Sequence, residues 1–464
     1  MIKGSFLKRI SMIFLFFFVI FIIGNNFSYA QGEVKKEEAK KSDVGMKKLE
    51  KNEKDGNVIA VPSTKTKKKK FPWLLVVGGA VVVGIILYLI LNKKTKKYDL
   101  TVNLGEGVQG TPSNGTYTYK KGEVINYNYS AASGYSDLNV LLDGSPVSAG
   151  GTITMNSNHT LAAAATELGS IKVSSTPTGA SIWLDDSDTG KKTNTVLQNV
   201  IPGSHKITLK KSGYWDEEVE VTVEPGKQSQ VSKNLVKGVE WIKIPAGEFK
   251  MGDNFDEGDT LDQPVHKVYL DQYYISKYEV TFAQYDKFCE KTGRTSPEDE
   301  GWGRGSRPVI YVSWHDAKAF CEWLSQKTGK NIHLPTEAQW EKAARGTDQR
   351  RYPWGNSTPS CSIANHNYCR GKTMPVGSYP DGVSPYGIHD MAGNVFEWCS
   401  DWYSPTYYSN SPYNNPQGPS SGSTRVNRGG HWRSISFDLR SADRCGDNPS
   451  GFGNDVSIRV CYEK

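Results

Sequence analysis

Two carboxylates seven residues apart, Asp390 and Glu397, bracket the pair Gly393-Asn394. They sit in the stretch Tyr386-Gly-Ile-His-Asp-Met-Ala-Gly-Asn-Val-Phe-Glu-Trp-Cys-Ser-Asp-Trp402. Calcium takes roughly six to eight oxygen ligands from carboxylates, amides and carbonyls, and a Gly-Asn turn lets both acids curl toward one such ion. Asp390, Gly393, Asn394 and Glu397 are therefore the candidate calcium ligands. Without metal, the same side chains would cap backbone amides and stitch the loop; both readings stand at this level. A second stretch, Arg425-Val-Asn-Arg-Gly-Gly-His-Trp432, follows closely. Neither has the period of a long helix or a plain strand. Both read as tight loops, with Trp398, Trp402 and Trp432 as their local core, because aromatic rings bury much area at low conformational cost.

These two stretches resemble the Gly-Asn-Val-Trp-Glu-Trp and Arg-Gly-Gly-Ser-Trp motifs of the formylglycine-generating-enzyme (sulfatase-modifying factor) family. Upstream landmarks occur in the same order: Ile242-Lys-Ile-Pro-Ala-Gly-Glu-Phe-Lys-Met-Gly252, Pro264-Val-His-Lys-Val268, Tyr278-Glu-Val-Thr281, Pro308-Val-Ile-Tyr-Val-Ser-Trp314, Leu334-Pro-Thr-Glu-Ala-Gln-Trp-Glu-Lys-Ala-Ala-Arg-Gly346 and Tyr352-Pro-Trp-Gly355. The resemblance implies a C-type-lectin-like, α+β, loop-rich domain over residues 237–464 and a structural calcium ion. It also implies a second calcium site involving Asn365.

The family's oxidases bind copper through a cysteine pair just after the Arg-Gly-Gly motif. Soft thiolates suit copper(I), and hydroxyls do not replace them. Here the segment reads Arg428-Gly-Gly-His-Trp-Arg-Ser-Ile-Ser-Phe-Asp-Leu-Arg440, with Ser434 at the first cysteine's place and no cysteine between Cys399 and Cys445. Copper is not expected. Another branch of the family uses iron held by histidines of a separate helical domain. This chain has no His-x-x-x-His pair, and its N-terminal half is β-rich, so iron is not expected either. His431 replaces the family's usual serine. Each histidine reads as a surface or hydrogen-bonded core residue.

The loops need a scaffold, and three short helices supply part of it. Residues 281–293 place Phe282, Tyr285, Phe288 and Cys289 on one face. Residues 314–328 place Ala317, Phe320, Cys321 and Leu324 at helical spacing, with Ser313 and Asp316 as a capping box. A third helix is capped by Thr336 and Gln339 and carries Trp340 and Ala344. Upstream lie two all-β modules. Residues 98–166 alternate apolar and polar positions between Gly and Asn-Gly turns, loosely similar to bacterial surface repeats of the internalin type. In residues 169–235, Ser174-Ser-Thr-Pro-Thr-Gly-Ala-Ser-Ile-Trp-Leu-Asp185 and Val200-Ile-Pro-Gly-Ser-His-Lys-Ile-Thr-Leu209 resemble a PEGA domain. Its Pro-Gly turns set strand register.

The N-terminal residues 1–30 have the basic start, apolar run and small-residue end of a signal peptide. The Lys/Glu-rich residues 31–70 almost lack aromatics and read as disordered. Residues 71–91 carry no charge, and at about 1.5 Å per residue they match a bilayer core, which predicts a transmembrane helix. Lysines flank both sides, so the positive-inside rule does not choose a topology strongly. A stop-transfer reading leaves the C-terminal domains in the cytoplasm; a signal-anchor reading, favoured by the kinds of module present, puts them outside. The net charge of +7 comes from lysines crowded at 35–70 and 93–97, so it is no argument for nucleic acid. Cys361 with Cys369, and Cys445 with Cys461, could bridge or remain buried thiols.

The chain thus reads as a multidomain, membrane-anchored envelope protein. Small β modules present a head that binds a protein, peptide or glycan, or serves in assembly, without the catalytic thiols. The enzymatic alternative is oxygen-dependent formylglycine generation, or non-heme iron oxidation of a cysteine or small thiol.

Overall fold

The computed structural model describes residues 83–88, 95–258 and 260–464. The chain divides into two compact units, Met1–Lys93 and Lys94–Lys464. In the first, residues 83–88 are helical with exposed side chains. The signal-peptide segment, the 31–70 segment and most of the 71–91 span lie outside the described residues. Among the described residues, no helix is long and apolar enough to cross a membrane.

The second unit begins with two β modules built on one plan. In the first, Lys97–Leu104 pairs in parallel with His159–Glu167, which pairs antiparallel with Tyr135–Leu142. A smaller sheet of Val108–Thr111, Val124–Ala131 and Gly150–Thr154 closes over it. Inward-facing Leu100, Val102, Tyr127, Tyr129, Val140 and Leu161 form the core between them. In the second, Gly169–Thr176 pairs in parallel with Gln228–Asn234, and Ser181–Leu184 pairs antiparallel with Gly203–Lys210. Ile171, Val173, Ile182, Ile207, Leu209 and Val231 fill its core. A matching device pins one turn in each module. Asp143 and Asp185, both left-handed, accept a backbone N–H across the strand pair and hold a histidine Nδ1, His159 at 2.6 Å and His205 at 2.7 Å.

The C-terminal domain is mostly loop around small sheets. One sheet orders Trp241–Ile244, Tyr273–Ser276, Cys461–Glu463 and Ile332–His333; a second orders Cys445–Asp447, Arg425–Arg428, Phe396–Trp402 and Val456–Ser457; a third pairs Gly247–Met251 with His266–Leu270. Three helices form where the apolar spacing and, for the last two, the caps predict. They are α1 (Phe282–Thr292, capped by Thr281 and Gln284), α2 (Trp314–Thr328, capped by Ser313 and Asp316) and α3 (Glu337–Arg345, capped by Thr336 and Gln339). In each, the cap hydroxyl and the third residue's side chain satisfy opposite amides, which otherwise have no intrahelical partner.

All nine residues of helix α3 are buried. Its charges survive there because each is paired. Glu341 takes Arg428 and Arg345, and Glu337 takes Arg444 at 2.7 Å. Lys342 donates to the carbonyls of Pro245 and Gly247, and burial lowers its amine to about 8.

The PEGA-like module is docked into this domain, not merely strung to it. Trp215 belongs to the domain's own hydrophobic core and meets Trp323 edge-on at 5.4 Å. Beside it, Lys287 of α1 donates to Glu217 at 2.6 Å, with both side chains almost fully buried.

Candidate functional site

The loop between Ile388 and Phe396 is tight because Asp390, Gly393 and Asn394 all adopt left-handed φ, at 59°, 81° and 66°. At Gly393 no larger residue fits, since a Cβ would lie 2.5 Å from the Asn365 carbonyl. That approach brings the Asn365 loop onto the Gly-Asn turn: Asn394 N–H donates to the Asn365 carbonyl at 2.8 Å, and Asn365 Nδ2 donates to Asn394 Oδ1 at 3.2 Å. The five predicted ion ligands are therefore neighbours, but they do not act as one set.

Glu397 points away into the core. Arg459 grips both its oxygens, Nε to Oε2 at 2.7 Å and Nη2 to Oε1 at 2.6 Å, and Trp340 Nε1 adds a third bond at 2.6 Å. A guanidinium already supplies the cation there, so Glu397 does not fit a calcium ligand. Asn394 is also saturated: its oxygen accepts from Met374 N–H and Asn365, and its amide donates to Glu279 and to the Met374 carbonyl. The Gly393 carbonyl accepts from Val395.

What remains open is Asp390, Asn365 and a residue the sequence reading did not single out, Glu279. Asn365 Oδ1 and Glu279 Oε2 are buried acceptors with no donor. Burial pushes Asp390 up to about 6 and raises Glu279 well above the usual carboxylate range, the Asp390 charge adding to the rise at Glu279. Arg459 Nη2 lies 3.9 Å from Glu279 Oε2, and Asp390 accepts the Gly377 N–H at 2.6 Å, so these acids are only partly balanced; their remaining oxygens and Asn365 Oδ1 are hard oxygen ligands of the kind calcium takes. Among the described residues, no three acidic, histidine or cysteine side chains converge as a ready metal cage. Arg459 was missed as well. Its signal was an arginine inside the apolar run Val456-Ser-Ile-Arg-Val-Cys-Tyr462, where a charge must find a buried partner.

In the segment where oxidases of the resembled family carry thiols, Ser434 is 4% exposed. Its hydroxyl accepts the His431 N–H at 3.1 Å and its carbonyl accepts from Asn367. His431 has a local role: Nδ1 accepts the Arg433 N–H at 3.0 Å and the ring rests edge-on against Phe396. Burial lowers its pKa, so it is a neutral ring stitching a turn. Cys361 and Cys369 are bridged, whereas Cys445 and Cys461 are not. Of the free thiols, Cys289, Cys321, Cys399 and Cys461 are buried, and burial pushes each of them up; Cys445 rises to about 12. None has the lowered pKa of a metal-binding or nucleophilic thiolate.

Residues 227–464 match the family described as the Sulfatase-modifying factor enzyme 1-like domain, and residues 168–238 match the PEGA domain. The formylglycine-generating enzyme of Streptomyces coelicolor is 34% identical over 287 residues, covering 48% of this chain and 88% of that protein. A serine/threonine-protein kinase, pkn1 of Chlamydia caviae, is 34% identical over 245 residues, covering 47% of this chain. The chain covers only 37% of that relative's length. Among solved structures, PvdO from Pseudomonas aeruginosa has 29% identity and a TM-score of 0.44, covering 49% of this chain and 95% of that one.

Proposed function

The chain belongs to the Sulfatase-modifying factor enzyme 1-like family through residues 227–464, and from that premise we propose that it is a recognition protein of the cell envelope that has kept the family fold without its oxidase chemistry. The observation that carries this reading is Ser434: a buried, hydrogen-bonded hydroxyl stands where a copper-binding thiolate is required. A hydroxyl does not replace the soft thiolate that copper(I) needs.

The proposal includes a C-type-lectin-like head, supported by its small sheets, few helices and long ordered loops. It places residues 71–91 in a bilayer and the head outside the cytoplasm. The Cys361–Cys369 bridge supports that side, because such cross-links persist mainly in oxidising compartments. Loops on a rigid frame are where binding residues gather, and the ligand class is a protein, peptide or glycan. A structural calcium ion at the Asn365, Asp390 and Glu279 end would neutralise the buried acids; Glu397 is not part of that set.

Incubating the purified full-length chain with copper, oxygen and a cysteine-containing peptide tests the reading. The expected outcome is no aldehyde above background. Catalytic turnover to formylglycine would overturn it.

A further inference from the structure

Helix α2 borders a cavity of about 440 Å³ in the head, a size that suits a small molecule. Trp314, Lys318, Glu322 and Gln326 line it from the helix; steps of four residues keep them on one face. Residues 331–334 and Ser400 supply much of the rest. The apolar part is buried, with Trp314, Cys321, Ile332 and Leu334. The polar part, Lys318, Glu322, Gln326 and Asn331, is exposed. Among the described residues, none of those four side chains enters an ion pair or a hydrogen bond; Lys318 only lies over the Trp314 ring at 5.8 Å. His333 is already committed, Nε2 to Glu463 at 2.6 Å and Nδ1 to the Leu334 carbonyl at 2.8 Å. Burial pushes the Cys321 thiol up, so the cavity holds no thiolate.

Two of the lining residues also touch an arginine that has no acid of its own. Strand register sets Arg425 opposite Trp402. Its guanidinium lies over two indoles, 3.9 Å from the Trp314 ring centre and 3.5 Å from that of Trp402, and Nη1 donates to the Ser400 carbonyl at 2.5 Å. Arg425 is partly exposed and enters no ion pair among the described residues. Asp401 acts on it from beyond ion-pair reach, but burial pushes that carboxyl up to about 7. Its oxygen already accepts the Glu337 N–H and the Ser400 hydroxyl.

Two other arginines of the domain show what a guanidinium edge takes here. Arg444 holds Glu337, and Arg459 holds Glu397, each through Nε together with Nη2. On Arg425 the same edge is uncommitted: Nε is buried with no partner, and Nη2 donates to nothing among the described residues. That edge matches a carboxylate in shape and charge.

We propose that this cavity binds a small acidic sugar, its carboxylate on the Nε–Nη2 edge of Arg425 with Lys318 beside it, and its hydroxyls on Glu322, Gln326 and Asn331. The Glu322 carboxylate decides against a bare inorganic anion, which it would repel, and accepts readily from hydroxyls. An aliphatic acid would leave the three rim side chains unused. The inference deepens the recognition reading by naming a ligand, at residues outside the Trp432 turn.

The test titrates the full-length chain in detergent with digalacturonate, following tryptophan fluorescence, with its dimethyl ester and inorganic phosphate as comparison ligands. Digalacturonate is expected to bind saturably and roughly tenfold tighter than either. Arg425→Lys keeps the charge but loses the forked edge, and should weaken binding about tenfold. Lys318→Met and Asn331→Ala, both at exposed positions, should each weaken it clearly with unchanged melting temperatures. Lys250→Met, exposed on the Gly247–Met251 strand, should not. If Arg425→Lys also lowers the melting temperature, the two rim variants decide. Ester or phosphate binding as tight as the acid, unchanged affinity in both rim variants, or no saturable binding of digalacturonate would overturn the proposal. Peptide oxidation is read in a separate assay, so turnover there would sink the earlier reading without being confused with a failure here.

Discussion

Arg459 and Glu397 hold each other in a two-pronged grip at 2.6 and 2.7 Å, both essentially without solvent contact. The guanidinium also donates to the Ser276 and His389 carbonyls, tying three chain segments to one point. Removing one member leaves the other charged in the core. Arg459→Leu should cost about 3–5 kcal/mol. The double change Arg459→Leu with Glu397→Leu should cost clearly less than the two single changes combined, as measured by denaturant unfolding of a double-mutant cycle. Additive losses would show that the pair is not coupled.

Calcium should act at the other end of the loop. Added to chelator-treated protein near pH 7.5, it should raise the melting temperature, and magnesium should not, because the smaller ion demands stricter geometry. Asp390→Asn should abolish the response and Glu397→Gln should leave a calcium response in place. A melting temperature unmoved by calcium in the wild type would refute the site.

Asp401 gives the fold a defined pH dependence. Burial, with Glu337 nearby, pushes its carboxyl up to about 7. Its folded pKa lies above the unfolded one, so the proton favours folding, and that stability is complete below about pH 4 and lost as pH rises through 7. Burial and the Asp262 carboxylate place Asp443 at about 7 as well, adding in the same direction. Thermal melts should fall between pH 5 and 8. Asp401→Asn keeps the acceptor for Glu337 N–H and Ser400. It should stabilise the protein at pH 8 by up to about 2–4 kcal/mol and change little at pH 5. A flat profile in the wild type would contradict the assignment.

Ser434→Cys should not restore copper binding. The place of a second thiol is empty of sulfur, and the nearest sequence cysteine, Cys445, rises to about 12. Copper(I) titration against a competing chelator should give the same weak affinity for wild type and variant. Stoichiometric tight binding by Ser434→Cys would mean a second soft ligand lies within reach.

The caps, apolar spacing and motif order carried the helices and the domain's kinship, because each is a local rule. Ser313-Asp316 and Thr336-Gln339 needed nothing beyond three residues of context. The environment of the candidate ion ligands was not legible, for the opposite reason. Asp390 and Asn394 announce a turn, but Glu397 pairs with Arg459, 62 residues away, and Glu279 joins from 115 residues upstream of Asn394. The partners of helix α3's acids were equally out of local reach: Glu341 meets Arg428 and Glu337 meets Arg444, 87 and 107 residues on.

Trp215 has a practical corollary. The two family matches overlap between residues 227 and 238, so a gene trimmed to the head alone discards an indole that the head counts among its own interior groups. Such a fragment would show Trp323 and a cationic Lys287 to water. Those shared interior contacts make the seam a joint of fixed angle and not a free hinge.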